Sequence, residues 1–295
     1  MNQSKGFSLV ELAVALFIIA LLLGGALIPL SSQIDVRNIA ETRRSMESIR
    51  DALVGFAQAN GRLPCPANGA TPAGSVDTAT WPTPIAAGAE QWDGANTCYT
   101  FVGVVPWTAL GIPETDAWGR RFTYRVSPIF ADGFAASTWS TTAPASQSPV
   151  CTPTPTPTSP TTFALCSLGN IAVFTRAGSS TTAVLLSAAL PAVVISHGRN
   201  GLGGWQPSGV RVTPVPSGND EAANALGNTT ATPQPAPPGY QSWAYYSRTP
   251  TPAVDCADPV PGTSNGKPAC EFDDIVVMIS SSGLIARMVA AGRLP

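Results

Sequence analysis

Charge is what this sequence has least of: Asp, Glu, Lys and Arg make up 12% of its 295 residues, against about 25% in typical soluble proteins. Set beside 29 prolines and 27 glycines, that deficit describes a loop-rich extracytoplasmic surface better than a cytosolic enzyme. A net charge of -2 leaves no basic footprint, so no nucleic-acid partner is expected. Histidine is scarcer still. The single one, His197, lies in Ile195-Ser196-His197-Gly198-Arg199-Asn200-Gly201-Leu202-Gly203-Gly204, so any Ser/His/Asp triad has to use it. Gly198, Gly201, Gly203 and Gly204 do not fit dinucleotide or P-loop spacing, and no G-x-S-x-G elbow occurs. His197 is therefore read as a hydrogen-bonded turn residue and the chain as no enzyme, with no catalytic residue assigned. The sequence also lacks a C-x-x-C pair and an EF-hand pattern, which argues against a zinc ribbon, a thioredoxin-like site and the commonest calcium loop.

What the chain does have is a long uncharged run near its start. Leu12 to Leu30 carries no charge, and nineteen such residues in a helix reach roughly 28 Å, close to the hydrocarbon thickness of a bilayer. One acid interrupts the apolar block, Glu11, with Phe7, Leu9 and Val10 before it and Leu12, Ala13 and Val14 after. Placing a carboxylate in a membrane helix costs on the order of 2–3 kcal/mol, so it needs a partner or an interface. No cation nearby in this chain supplies one. Glu11 either snorkels to the interface or pairs with a group on another subunit. An ordinary secretory signal fits poorly, because the acid falls inside the apolar region and no A-x-A site follows. A plain uncleaved anchor is the other alternative. Counting Lys5 before the span against Arg37, Arg43, Arg44 and Arg50 after it does not settle orientation.

A short polar leader with Lys5, then Gly6, Phe7 and a glutamate at the fifth position from Phe7, resembles the type IV prepilin signature. The resemblance covers about 25 residues. It implies cleavage after Gly6 by a prepilin peptidase, methylation of the new Phe7 amine, and assembly into a type IV pilus or type II secretion pseudopilus. Glu11 then pairs with a neighbour's Phe7 amine. It further implies a single-pass inner-membrane protein with a cytoplasmic N-terminus and periplasmic head, whose partners are the peptidase, other pilin or pseudopilin subunits, the inner-membrane assembly platform and the lipid bilayer. In a periplasmic head the six cysteines, Cys65, Cys98, Cys151, Cys166, Cys256 and Cys270, are read as disulfides. Of 15 connectivities the sequential one is favoured, because each pair then clips a Pro/Gly/Thr-rich loop.

Beyond Pro29, which should kink the helix rather than end it, Ile39, Met46, Ile49, Leu53 and Phe56 mark one helical face and Asp35, Arg37, Glu41, Arg44, Glu47 and Asp51 the other. Asn60-Gly61 and Pro64 stop the helix. Strands are predicted at Thr100–Val105, Arg121–Val126, Ile171–Phe174, Val193–Ser196, Val210–Thr213 and, buried, Asp274–Ile279, with Leu110-Gly111-Ile112-Pro113 a turn. A short helix is predicted at Thr182–Leu190 and a terminal helix or second strand at Ser282–Ala291. Asp116-Ala117-Trp118-Gly119 is similar to the D-P-W-G segment that begins the sheet of pseudopilin heads, with Ala117 in place of proline. Residues 144–162 and Thr229–Gly239 read as Pro-rich surface loops.

Acids cluster late, at Asp255, Asp258, Glu271, Asp273 and Asp274, with Asp220-Glu221 in a separate glycine-flanked loop. Asp255, Asp258, Asp273 and Asp274 are the calcium candidates, weighed against a solvated acidic loop. Trp81, Trp92, Trp107, Trp139, Trp205 and Trp243 follow no period and are assigned to core or turn packing rather than to a sugar-binding surface. The expectation is an α+β chain: leader 1–6, transmembrane and polymerisation helix 7–30, its amphipathic continuation 31–60, and a mainly antiparallel disulfide-containing head 61–295. Its role is that of a minor or tip filament subunit, the competing class being an anchored periplasmic binding or adhesion module that never polymerises.

Overall fold

The structure is a computed structural model that describes residues 8–78, 84–94, 98–131, 162–165, 167–176, 183–214, 218–231, 241–251 and 270–294. The side chains of residues 22–32, 228–231 and 241–242 lie outside that description. Gly6, Phe7, Cys151, Cys166, Asp255, Asp258 and Cys256 fall outside it too, as do Trp81, Trp139 and the Pro-rich segments at 144–161 and 232–239. The chain divides into two units, Met1–Glu41 and Thr42–Pro295.

Helix α1 spans Leu9–Asn60 and is helical on both sides of Pro29. In the first unit its apolar side chains are exposed on every side, among them Leu9, Leu12, Leu16, Phe17, Ile18 and Leu21. A helix that is apolar all round needs an apolar surrounding. Among the described residues, whose side chains stop here at Leu21 and resume at Gln33, no helix is long and apolar enough to cross a membrane.

In the second unit the predicted apolar stripe is buried: Met46, Ile49 and Leu53 are fully covered and joined by Ala57, while Glu47 and Asp51 face solvent. The helix stops where Gly61 adopts a left-handed φ of 75° and its N–H closes the last turn on Ala57 O. There follow β1 (Val76–Asp77), β2 (Ile85–Ala86), β3 (Val102–Val104), α2 (Trp107–Leu110), β4 (Thr123–Val126) and α3 (Pro128–Ala131). Next come β5 (Ile171–Thr175), β6 (Val184–Leu190), β7 (Ala192–Ser196), α4 (Asn219–Leu226), β8 (Asn228–Ala231), β9 (Gln241–Tyr246), β10 (Ile275–Ile279) and α5 (Ser281–Ala290).

Two four-stranded sheets form, in the orders β10-β7-β4-β3 and β6-β5-β9-β8; β1 and β2 pair separately. The first is antiparallel throughout, and the second contains one parallel pair, β5 with β9. Strand β7 is buried on both faces, and its period of two sorts its side chains. Ala192 and Val194 join the cluster holding Met46, Leu53, Tyr124 and Met288, whereas Val193 and Ile195 join Ile171, Val173 and Tyr245. The opposite alternation of β5 and β9 puts Ala172, Phe174 and Tyr246 with Ala223 of α4 and Phe272. The layers are therefore helices, first sheet, second sheet, helix α4.

The structure departs from the sequence reading in several places, β8 among them, which puts Thr229–Ala231 of the predicted loop in a strand. Thr182–Leu190 is strand β6, not a helix: its alanines and leucines favour a helix weakly, but pairing with β5 decides, through register shifts that absorb a left-handed Ala189. Val210–Thr213 forms no strand; only Arg211 bridges, to Trp205. Asp220 and Glu221 stand in the first turn of α4 rather than in a loop, with Gly218 as its cap. The strand β10 is half-buried except at Ile279, whereas the terminal segment takes the first of its two expected forms, a helix capped by Ser280, whose Oγ accepts from Gly283 N–H. Cys65 and Cys98 form a disulfide, the first pair of the sequential order; Cys270 is disulfide-bonded as well.

Arginine holds the loops together. Arg62 bonds both oxygens of Glu90 at 2.8 and 2.9 Å and lies over the Trp92 ring, while Arg125 covers Trp243 at 3.5 Å. Arg121 donates to Glu114 and to the carbonyls of Gly69, Thr71 and Pro207, and sits over Trp107. Trp205 takes Arg211 over its ring. Trp92, Trp107, Trp205 and Trp243 are thus each packed against a guanidinium group.

Candidate functional site

Two places carry the residues singled out in the sequence. At the start of α1, Ser8 and Glu11 cap one another: Glu11 N–H donates to Ser8 Oγ at 3.2 Å, and Ser8 N–H donates to Glu11 Oε2 at 2.9 Å. The spacing S-x-x-E is the one that satisfies two of a helix's orphan N–H groups at once. Glu11 therefore has a local neutral partner. The sequence reading looked only for a cation and missed this one, although the capping spacing was there to be read.

The second place lies in the second unit, where three segments distant in sequence meet. Helix α4 supplies Glu221 and Asn224, the residues leading into β10 supply Asp273 and Asp274, and the loop after β7 supplies His197, Gly198 and Asn200. Asn200 organises the meeting: its backbone N–H donates to Asp273 Oδ2 at 2.8 Å, and its side-chain amide reaches both Glu221 oxygens at 3.3 and 3.4 Å. Asp273 N–H donates to Glu221 Oε1, and Asn224 Nδ2 donates to Asp274 Oδ2, each at 2.8 Å. Gly198 is required by the close approach. Its φ is 55°, and a Cβ there would fall 2.3 Å from the Asp273 carbonyl oxygen. His197 is completely buried; Nε2 meets Thr123 Oγ1 at 2.8 Å, and Nδ1 lies 3.6 Å from Asp274 Oδ1. Next to it Ser196 Oγ donates to Asp116 Oδ2, whose other oxygen takes the N–H groups of Trp118 and Arg120 and so closes the Asp116–Gly119 turn.

Glu221, Asp273 and Asp274 each place one oxygen so that all lie within 4.8 Å of one another. Of the four calcium candidates, Asp273 and Asp274 are thus brought together, with Glu221 beside them; Asp255 and Asp258 lie outside the described residues. The arrangement suits holding a proton or a hard cation. Burial, then the neighbouring Asp274, pushes Glu221 from 4.5 up to about 8; burial likewise pushes Asp273 from 3.8 up to about 6. Folding thus favours the protonated carboxyls, and the native chain binds more protons than the unfolded one between about pH 4 and about pH 8. Stability from this source is complete below the ordinary carboxyl range and lost as pH rises towards 8. Measured by denaturant unfolding in a chelator, Glu221→Gln should gain on the wild type steadily from pH 5 to pH 8; a constant difference across that range would contradict the assignment.

Residues 1–27 match the family model described as the prokaryotic N-terminal methylation motif, the prepilin-type signature of type IV pilins and pseudopilins. The motif marks a prepilin peptidase substrate of the type IV pilin type and implies assembly with other pilin subunits. No curated protein and no solved structure matches the chain.

Proposed function

We propose that this chain is a structural filament subunit, cleaved after Gly6, methylated at Phe7 and polymerised through its N-terminal helix into a type IV pilus or type II secretion pseudopilus. The observation that carries the reading is the match at residues 1–27, in which glycine, phenylalanine and the acid five positions from it occur together ahead of an uncharged run. The run from Leu12 to Leu30 anchors the chain in the inner membrane before assembly, with the head in the periplasm. The Cys65–Cys98 bridge is consistent with an oxidising compartment. A head of more than 230 residues suits a minor or tip subunit better than the repeating one. The protein does no chemistry of its own: its single histidine is sealed in the second unit, bonded to a threonine.

A side chain at Gly6 obstructs the backbone at the scissile bond, so Gly6→Val should accumulate as uncleaved precursor. Mass spectrometry of wild-type protein extracted from membranes should find a chain that starts at methylated Phe7. An intact Met1 terminus on the wild type would sink the reading. A correctly processed chain that is absent from sheared filaments would instead favour an anchored binding module.

A further inference from the structure

At the β3 edge of the first sheet the second unit builds a pocket. Ala67 pairs with Val104 in both directions, at 2.8 and 3.0 Å, and then the chain turns away, because Asn68 Oδ1 accepts the N–H of Ala70. Between that turn, the β3 edge and the loop carrying Trp205 and Arg211 is a cavity of about 320 Å³, the size of a small-ligand site. Independently of filament assembly, we propose that it binds one small hydroxylated carboxylate of the sugar-acid class, with Arg211 on the carboxylate and Gln91 on a ring hydroxyl.

Two of the lining side chains have bonding capacity to spare. Gln91 is only 3% exposed, and its backbone N–H and C=O are both engaged, yet its side-chain amide meets no hydrogen-bond partner among the described residues. Buried amides are so seldom left unmatched that one lining a cavity points to a ligand, and an amide that both donates and accepts suits a hydroxyl. Arg211 donates Nε to Gly203 O at 2.7 Å and Nη2 to Ala225 O, which leaves Nη1 without a partner among the described residues. No carboxylate lines the pocket, so this half-buried cation is not neutralised there, and burial pushes its guanidinium down from the ordinary range. A carboxylate answers it with a planar, charge-assisted pair. Other polar groups of the lining are already committed: Asn68 Nδ2 donates to Asp77, and Thr123 Oγ1 meets His197. An extended peptide finds no strand edge here. Val104 is paired with Ala67, and Thr100 Oγ1 both accepts from Val102 N–H and donates to Val102 C=O. Trp205 closes one wall, so near Gly69 that a Cβ there would fall 2.6 Å from the indole.

The test uses the full chain in a detergent without a sugar headgroup, with galacturonate as the probe. Ligand-observed NMR titration should show one saturable site with a dissociation constant of about 1 mM or tighter. Three controls should each bind at least about tenfold more weakly: galactose, which lacks the carboxylate; acetate, which lacks the hydroxyls; and N-acetylglutamate, which carries its carboxylate on a peptide-like chain. Gln91→Met removes the amide without costing the head a hydrogen bond, so it should melt within about 2 °C of wild type and still bind galacturonate at least about tenfold more weakly. Arg211→Gln should weaken binding as much, whereas Asp51→Asn on the exposed face of α1 leaves it unchanged. Hydrogen exchange of the wild type locates the site even where Arg211→Gln fails to fold: galacturonate should slow exchange at residues 67–70, 99–103 and 203–211. Absence of saturable binding, equal affinity for any of the three controls, binding that survives Gln91→Met, or protection confined to other segments overturns the proposal.

Discussion

Arg121→Leu should lower the melting temperature of the chain by about 6–20 °C, the largest loss expected from any single change in the head. Arg121 has no solvent exposure, and its guanidinium meets four acceptors: Glu114 Oε1, and the carbonyl oxygens of Gly69, Thr71 and Pro207 at 2.8, 2.8 and 3.1 Å. Those carbonyls belong to loops far apart in sequence. Leucine fills part of the volume but leaves the buried carbonyls of Gly69 and Thr71 and a carboxylate without this donor, while Pro207 O keeps the N–H of Ala73. Breaking a buried charged pair by removing one member costs about 3–5 kcal/mol, and a domain of this size loses about 2–4 °C for each kcal/mol. Lysine should rescue little, because one ammonium group does not reproduce the fork that serves acceptors on several sides. Glu114→Gln, at a side chain 25% exposed, should cost far less. Thermal unfolding followed by circular dichroism decides; an Arg121→Leu protein within about 2 °C of wild type would mean that these loops are held by packing alone.

Arg121 also shows where sequence reading stops. The amphipathic half of α1 was legible because its stripe repeats along one continuous segment, and Gly61 marks its end in the sequence itself. Strands β4, β5 and β7 were legible as β-branched and aromatic runs between turns. What failed was decided by partners elsewhere. Strand β6 is written in alanine and leucine and becomes a strand only because β5 offers an edge. Helix α4 has eight residues and no polar cap, so its two acids passed for a loop. A buried arginine looks like any surface arginine until its acceptors, some 50 and 86 residues away, are known. The two candidate places divide in the same way. The N-terminal motif is contiguous, and its resemblance to the prepilin signature is carried by neighbouring residues. The acidic cluster joins Glu221 to a backbone N–H 52 residues further on, a separation that no local pattern spans, so Glu221 was not read as a neighbour of Asp273 and Asp274.

Removing the charge of Glu11 should all but abolish entry into filaments while leaving cleavage after Gly6 intact, and the structure shows how to separate that effect from a simple helix defect. Glu11 accepts from Ser8 N–H and donates to Ser8 Oγ, a reciprocal cap of a kind worth about 0.5–2 kcal/mol to the start of a helix. A cap needs an acceptor, not a charge. Glutamine retains a side-chain oxygen for Ser8 N–H and keeps its own backbone N–H for Ser8 Oγ, whereas leucine loses the first of these bonds. If capping were the whole role, Glu11→Gln would assemble as wild type and only Glu11→Leu would fail. If the carboxylate pairs with the Phe7 amine of a neighbouring subunit, both variants lose that pairing, because an uncharged partner does not offset an ammonium group in an apolar surrounding. Both are expected to reach the membrane at least as well as wild type, since leucine removes an insertion penalty of about 2–3 kcal/mol and glutamine removes the charge. The measurement sets membrane level, N-terminal mass and sheared-filament content side by side for Glu11→Gln, Glu11→Leu and wild type. Normal incorporation of Glu11→Gln would reduce Glu11 to a helix cap and remove the intersubunit pairing from the account.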